Sequence, residues 1–358
     1  MNNKCTRVQK VNSMAITIKD IAKRTGVSHS TVSRALGGNS LISEETSSRI
    51  RKVALELGYQ PSAAARSLKT NQTKVIGVIV NSIDDPFFSE ILFGIEDAAQ
   101  NSGYSLFIAS SQYDPFREQK IVQTMMEQRT DGVIICSSSF SADKGRQLLE
   151  NGFPVVVVNY KAHENFNYSI YHDDVDGSQQ ITRHLLDLGH KKIAFLGNSR
   201  SGRTTMDRMN GFKKEMRKAT IKIPAGFIFD VEGSTPELGT QGLDHFMQLS
   251  DPPTAIICFN DMVAIGILHA CQQSGIRVPE DLSVTGFDNI TFSAYTSPPL
   301  TTLDQPKYSI GKEAAQLLLD LLKKKIDGFS QTHSEKILKG RLLVRQSTSV
   351  PRQQPKRN

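Results

Sequence analysis

The sequence predicts an α/β protein: an all-α N-terminal headpiece, followed by a larger two-lobed core of doubly wound parallel sheet. Three observations lead there. Residues 17–58 hold three short helical patterns separated by glycines, and no strand-like run. From Lys74 onward, short β-branched runs alternate with helical stretches of roughly 10–16 residues, the mark of repeated βα units with both sheet faces covered. Charge divides at the same place. Residues 1–70 carry twelve lysines and arginines against four acids, a balance of +8, whereas the whole 358-residue chain carries +7. The basic excess therefore lies in the helical part, where a phosphate-binding footprint belongs.

Residues 1–15 include Lys4, Arg7 and Lys10 but no apolar stretch of a secretory signal, and are expected to be a disordered extension. Thr17, with Asp20 three residues on, caps a first helix over about Ile18 to Thr25. Gly26 supplies a turn, and a second helix opens at Ser28 and runs to about Leu36, where Gly37-Gly38 ends it. Ser43 caps a third helix whose Ile50, Val53, Ala54 and Leu57 share one apolar face, and Gly58 stops it. On the second helix Val32, Ala35 and Leu36 face inward with Val27, Ile21 and Ala22. Ser30 and Arg34 lie opposite, flanked by His29 and Ser33. This is helix-turn-helix patterning, in which the second helix offers N-terminal side chains to base edges in a major groove. Arg34 has the fork for a guanine, and His29 and Ser30 are short enough for close base contact. A polar outer face also suits an ordinary solvated bundle, so the pattern alone leaves both open.

The segment from Pro61 through Arg66, Leu68, Lys69 and Thr70 carries an alanine run but is too short, at about eight helical residues, to be stable alone in water. It is expected to order on binding, with Leu68 as an apolar wedge and Arg66 and Lys69 on phosphates. The alternative is a linker helix with Leu68 docked on the next domain.

In the core, strands are expected at Val75–Val80, Leu106–Ala109, Gly132–Cys136, Val155–Val158, Lys192–Leu196, Phe227–Phe229, Ala255–Phe259 and Leu282–Phe287. Ligands of such sheets bind beyond the carboxyl ends of the strands. There the first half offers Asn81, Asp84, Asp85, Phe87, Phe88, Ser110, Ser111, Ser137 to Ser139 and Asn159. The second offers Asn198 to Thr205, Asn260, Asp261, Asp288 and Asn289. Amides, hydroxyls, carboxylates and aromatic rings suit a small polyhydroxylated ligand, although each residue singly also fits loop and cap chemistry.

Other classes find little support. No apolar run approaches the roughly 20 residues needed to cross a bilayer. Cys5, Cys136, Cys258 and Cys271 show no C-x-x-C pairing; they read as reduced thiols of a cytoplasmic protein, with no metal site or cofactor. P-loop, G-x-S-x-G and H-E-x-x-H patterns are missing, and an enzyme is not expected.

TIKDIAKRTGVS, TVSRAL, ISEET and GYQPSAAARSLKT together resemble the headpiece and hinge of the LacI–GalR family of bacterial transcription repressors. The resemblance puts His29, Ser30 and Arg34, with Ser28 and Thr31 beside them, at base-reading positions, and Leu68 at the hinge leucine that wedges into the minor groove. DPFFSEILFGIEDAA, DLGHKKIAFLG, PTAIICFNDMVAIG, VPEDLSVTGFDN and PPLTTLDQP are similar to the family's periplasmic-binding-protein-like core, to about Arg345. By that similarity Phe87 and Phe88 stack on ligand and Arg208, in RMNGF, holds ligand oxygens. Asp85, Asn159, Asn260 and Asp288 complete the polar set. A structural ion pair across the cleft is the lesser alternative for an arginine near a carboxylate. Relatives that bind purines tend to carry an aromatic in a GDF-type turn, where this chain has Glu232-Gly233-Ser234; a sugar or sugar phosphate is therefore expected, with Arg203 available to a phosphate.

The implied organisation is a helix-turn-helix domain at 16–60, a hinge at 61–73, and an effector-binding and dimerisation domain at 74–350. Its first lobe covers about 74–172 and 305–331, its second about 173–304 and 332–350, and residues 351–358 form a disordered tail. Without C-terminal leucine heptads the expected assembly is a homodimer on double-stranded operator DNA. A sugar-like effector would control it allosterically. A purine or a phosphorylated protein corepressor remains open, and a sugar receptor without DNA function is the remaining reading.

Overall fold

The computed structural model describes residues 16–38, 40–60, 67, 72–136, 141–159, 168–327 and 334–352. The chain divides into two compact units, Met1–Thr73 and Lys74–Asn358.

The first unit is built on α1 (Ile18–Thr25), α2 (His29–Leu36) and α3 (Glu44–Glu56). Each begins where a small polar residue can take over orphaned amides. The Thr17 backbone N–H and hydroxyl both donate to Asp20 Oδ2, at 2.8 and 2.7 Å, while Ser28 Oγ accepts from Thr31 N–H at 3.1 Å and Ser43 Oγ from Thr46 N–H at 3.3 Å. Gly26 closes α1 at φ +70°, a conformation glycine takes without strain. Ile21, Val32, Ala35, Ile50 and Ala54 form the buried centre, with Val27, Leu36, Val53 and Leu57 packed against it.

The second unit has two six-stranded sheets. The first orders as β11-β5-β4-β3-β1-β2, from β1 (Val75–Val80), β2 (Ser105–Ser110), β3 (Gly132–Cys136), β4 (Val155–Val158), β5 (Tyr168–His172) and β11 (Ser334–Leu338). The second orders as β12-β10-β9-β8-β6-β7, from β6 (Ile193–Asn198), β7 (Ile228–Val231), β8 (Ala255–Cys258), β9 (Ser283–Asp288), β10 (Thr301–Asp304) and β12 (Arg341–Leu343). All pairings are parallel except β10 with β12. Central strands such as VIGVIV and GVIIC are buried on both faces, which is why they read as unbroken apolar runs.

Helices cover both sheets: α4 (Phe87–Asn101), α5 (Pro115–Glu127), α6 (Ala142–Glu150) and α11 (Lys307–Asp327) on the first, and α7 (Asp174–Asp187), α8 (Gly202–Lys218), α9 (Pro236–Met247) and α10 (Asp261–Gln273) on the second. Ile310, Ala314, Leu318 and Leu321 of α11 are buried as the periodicity predicts, and Leu317 is partly so. Cys136, Cys258 and Cys271 are buried in the cores. Among the described residues no helix is long and apolar enough to cross a membrane.

The chain passes between lobes three times: after His172, after Asp304, and between Leu338 and Arg341. The third passage corrects the expected boundary at 332, because β11 pairs along its length with β5 of the first lobe. SEKIL alternates weakly in hydrophobicity and sits at a sheet edge, so its sequence carried little strand signal.

Candidate functional site

In the helical unit, His29, Ser30 and Arg34 are exposed along α2, while Val32 and Ala35 on its other side are fully buried. Arg34 lies one turn beyond Ser30, so both are presented from one face. Ser28 and Thr31 are placed differently. The Ser28 hydroxyl caps the helix and lies 2.7 Å from Ser30 Oγ and 2.8 Å from Thr31 Oγ1, and Thr31 is half-buried. These two hydroxyls take part in the helix N-terminus, while Ser28 is exposed beside His29, Ser30 and Arg34. Lys19, Lys23, Arg24, Arg49, Arg51 and Lys52 are exposed on the same unit. Arg66, Leu68 and Lys69 lie outside the described residues.

In the second unit a cleft opens between the lobes at the carboxyl ends of β1, β3, β4, β6, β8 and β9. Its first-lobe wall holds Asp85, Phe87, Phe88 and Asn159, with Asn81, Tyr113 and Cys136. Asp85 Oδ1 accepts from Phe87 N–H at 3.0 Å at the start of α4, and burial pushes its pKa above the usual carboxylate value. The rings of Phe87 and Phe88 meet edge-on, 5.2 Å apart. Asn159 is held at φ +60°, a left-handed conformation that asparagine tolerates better than most residues.

The second-lobe wall centres on Arg208, whose side chain is only 6% exposed. Its Nε donates to Asp174 Oδ1 at 3.0 Å, Nη1 donates to the Phe259 carbonyl, and Nη2 lies 3.7 Å from Asp288 Oδ1. The guanidinium is sandwiched between aromatics, 3.7 Å from the Phe287 ring centroid and 4.6 Å from that of Phe259. Sequence reasoning paired Arg208 with Asp288. The tighter partner is Asp174, at the first turn of α7, which acts as an ordinary acidic N-terminal residue in sequence. Electrostatics agree: burial would raise the Asp174 pKa, but Arg208 and His172 bring it below the ordinary value. Asp288 stays well above its ordinary value, because burial outweighs the Arg208 charge.

Asp288 sits at φ +115°, a strained conformation for a non-glycine residue and one that clusters at functional sites. Its Oδ1 accepts from Gln305 Nε2 at 2.6 Å, and buried Lys307 donates to the carbonyls of Asp288 and Asn289 while pairing with Glu90 at 3.3 Å. Asn260 caps α10 through Oδ1, which accepts from Val263 N–H at 3.0 Å; what it offers the cleft is the donor half of its amide.

Several lining residues escaped sequence reasoning. Tyr113, at φ +59° in the loop after β2, reaches across to Ser234, their hydroxyls 3.4 Å apart; Phe259 directly follows β8, its ring against Arg208. A tyrosine in a Ser-Gln-Tyr-Asp-Pro loop carries no signal beyond its place after a strand. Two other candidates turn out to be structural. Asn198 Oδ1 accepts from Arg200 N–H and Gly233 N–H, and Asn289 bridges Asp304 and Arg345. Arg203 pairs with Asp207 on its own helix at 3.4 Å and does not line the cleft, which removes the support for a phosphate there.

Comparison with known proteins shows what the two units resemble. A model of bacterial regulatory proteins of the lacI family matches residues 17–62, and a periplasmic binding protein-like domain matches residues 182–348. The chain is 36% identical to the HTH-type transcriptional repressor PurR of Aliivibrio salmonicida (strain LFI1238), covering 86% of this chain and 93% of that one. It is 34% identical to PurR of Haemophilus influenzae (strain PittEE), over 92% and 98%. Its fold is similar to that of the lac repressor dimer bound to operator and the anti-inducer ONPF, with a TM-score of 0.84 and 27% identity over 94% of this chain and 99% of that one. A LacI family regulator from Enterococcus faecium with bound ribose superposes at a TM-score of 0.67, with 28% identity over 77% and 99%.

Proposed function

From a chain that belongs to the lacI family of bacterial regulatory proteins and is a DNA-binding transcriptional repressor, we propose a homodimer acting in the cytoplasm, released from or fixed on its operator by a sugar-like molecule in the interlobe cleft. In this reading residues 16–60 carry His29, Ser30 and Arg34 into a major groove. Residues 61–73, with Arg66, Leu68 and Lys69, form the hinge on DNA, and 74–350 bind effector and partner.

One observation carries the effector class. The cleft lining brings Asp85, Asn159, Asn260, Asp288 and Arg208 together with Phe87 and Phe88, while the Glu232-Gly233-Ser234 turn contributes a small hydroxyl. Carboxylates and amides bind hydroxyl groups, and an aromatic face packs on ring C–H bonds. A flat base would find one stacking face fewer than in relatives with an aromatic turn. Dimerisation is supported by apolar surface on the first lobe: at its edge strand β2 Phe107 and Ile108 are 38% and 41% exposed, and Phe93 of α4 and Phe116 of α5 are 63% and 84% exposed.

A second reading keeps the same DNA function with purine control, and the name PurR carried by the relatives at 34–36% identity is what favours it. A thermal-shift screen against pentoses, hexoses, sugar phosphates, nucleosides and purines separates the two. At 100 times Kd a ligand adds roughly 2.7 kcal/mol of stability. A sugar hit that also changes operator affinity supports the first reading. A purine hit with no sugar response overturns it, and silence across the panel directs the search to a phosphorylated protein corepressor.

A further inference from the structure

The three passages between lobes converge on one residue. Gly340 lies in the third, and a Cβ placed there would stand 2.5 Å from the Asp304 carbonyl oxygen of the second passage and 2.7 Å from His172 Nε2 of the first. Real Cβ atoms do not make such contacts. Gly340 N–H donates to His172 Nε2 at 3.0 Å, which puts the ring proton on Nδ1, facing Asp174 Oδ1 at 3.3 Å. Asp174 Oδ1 is the same oxygen that accepts from Arg208 Nε. The His172 ring also stands edge-on to Phe287, 5.6 Å between centroids, the ring on which Arg208 stacks. A continuous chain of contacts thus runs from the cleft arginine through Asp174 and buried His172 to the backbone of the third passage, while Gln305 ties Asp288 to the second.

The geometry points to His172 as a positioning residue for effector control. Through Asp174 it sets the plane of Arg208, and through Gly340 it makes the three passages move with that arginine. A substituent that pulls Arg208 off Asp174 unlocks the Nδ1 side of the ring and with it the Gly340 contact. Repacking the passages then changes the angle between lobes, because Gly340 leaves them no slack. This deepens the proposed effector reading and rests on the cleft being the effector site.

The test needs no effector, so failure to find a sugar ligand and failure of this relay are separate results. In a Cys5→Ser background, spin labels replace the exposed Gln123 of α5 and Gln241 of α9, and pulsed dipolar spectroscopy reads the lobe-to-lobe distance. Exchange of the Arg208 Nε–H, followed by NMR and assigned through Arg208→Lys, reads the cleft end. His172→Asn keeps a donor where Nδ1–H stood but no acceptor for Gly340. It is expected to broaden the distance distribution and leave Arg208 Nε–H exchange as in the parent. His172→Gln keeps an acceptor near the Nε2 position. It is expected to hold the distance narrow and speed Arg208 exchange about tenfold, the worth of one charge-assisted hydrogen bond. Gly340→Ala is expected to shift the distance with Arg208 exchange raised only slightly. Parent-like values of both readouts in all three variants overturn the proposal. So does one shared response of both readouts in every variant, which would mean general loosening of the packing.

Discussion

Replacing Arg208 by methionine keeps most of the side-chain stem between Phe259 and Phe287 and removes only the charge. Asp174 and Asp288 then face each other with side chains 14% and 6% exposed and no cation between them. Removing one partner of a buried ion pair costs about 3–5 kcal/mol, because the remaining charge stays desolvated. At about 2 °C per kcal/mol for a unit of this size, the melting temperature should fall by roughly 6–10 °C at pH 7. The pH dependence has a definite sign. In the parent Asp174 titrates below its ordinary value, so its contribution is present above the unfolded carboxylate pKa and is lost as pH falls through the lower folded one. In Arg208→Met burial dominates and the folded pKa rises, so the penalty is present at pH 7 and relieved on acidification. The gap between variant and parent should therefore narrow from pH 7 towards pH 5. Circular-dichroism melts across that range measure it, and adding Asp174→Asn should restore most of the loss through the shared contact. A drop under about 2 °C that is constant with pH would refute the view that Arg208 balances the buried carboxylates.

Other outcomes can be checked separately. Arg34→Ala should weaken operator binding by about 1–3 kcal/mol and relax discrimination at one base pair; fluorescence anisotropy on a set of single-base operator variants reads both, and unchanged selectivity would remove Arg34 from base reading. Asp261 is fully buried, its Oδ1 accepting from the Thr302 hydroxyl and its Oδ2 from Ile290 N–H at 2.9 Å, and burial pushes its pKa up to about 7. Its contribution is present below the unfolded carboxylate pKa and is lost as pH rises through about 7. Asp261→Asn should therefore gain stability relative to the parent between pH 5 and pH 8, and the difference between their melting curves cancels the opposing effect of His184 and His190, whose pKa values burial lowers. Where α4 crosses α11, a Cβ at Gly94 would lie 2.2 Å from the Tyr308 carbonyl oxygen. Gly94→Ala should cost about 1–3 kcal/mol by forcing the helices apart, and a melting temperature at or above the parent's would show that the crossing is loose.

Much of this protein was legible without coordinates, for local reasons. Helix caps are short-range chemistry, so Thr17, Asp20, Ser28 and Ser43 announce the three headpiece helices, and His29, Ser30 and Arg34 fall outward once the apolar side is placed. Buried parallel strands show as unbroken β-branched runs, and the residues just after them, such as Asp85, Asn159, Asn260 and Asp288, line the cleft because strand ends converge there. Edge strands carry no such mark, so nothing in the sequence of Ser334–Leu338 ties it to the first lobe, where it pairs with β5.

What only the tertiary structure decided are pairings between segments far apart in the chain. The sequence offers Asp288 as the partner of Arg208, and the packing of α7 against α8 adds Asp174, closer and 34 positions away. Tyr113 meets Ser234 across 121 positions, and Gly340 meets His172 across 168. A sequence shows periodicity, caps and charge because those act within a few residues. Which buried polar atom faces which is set when whole lobes close on each other, where each donor takes the acceptor that packing leaves within reach and burial makes an unpaired group costly.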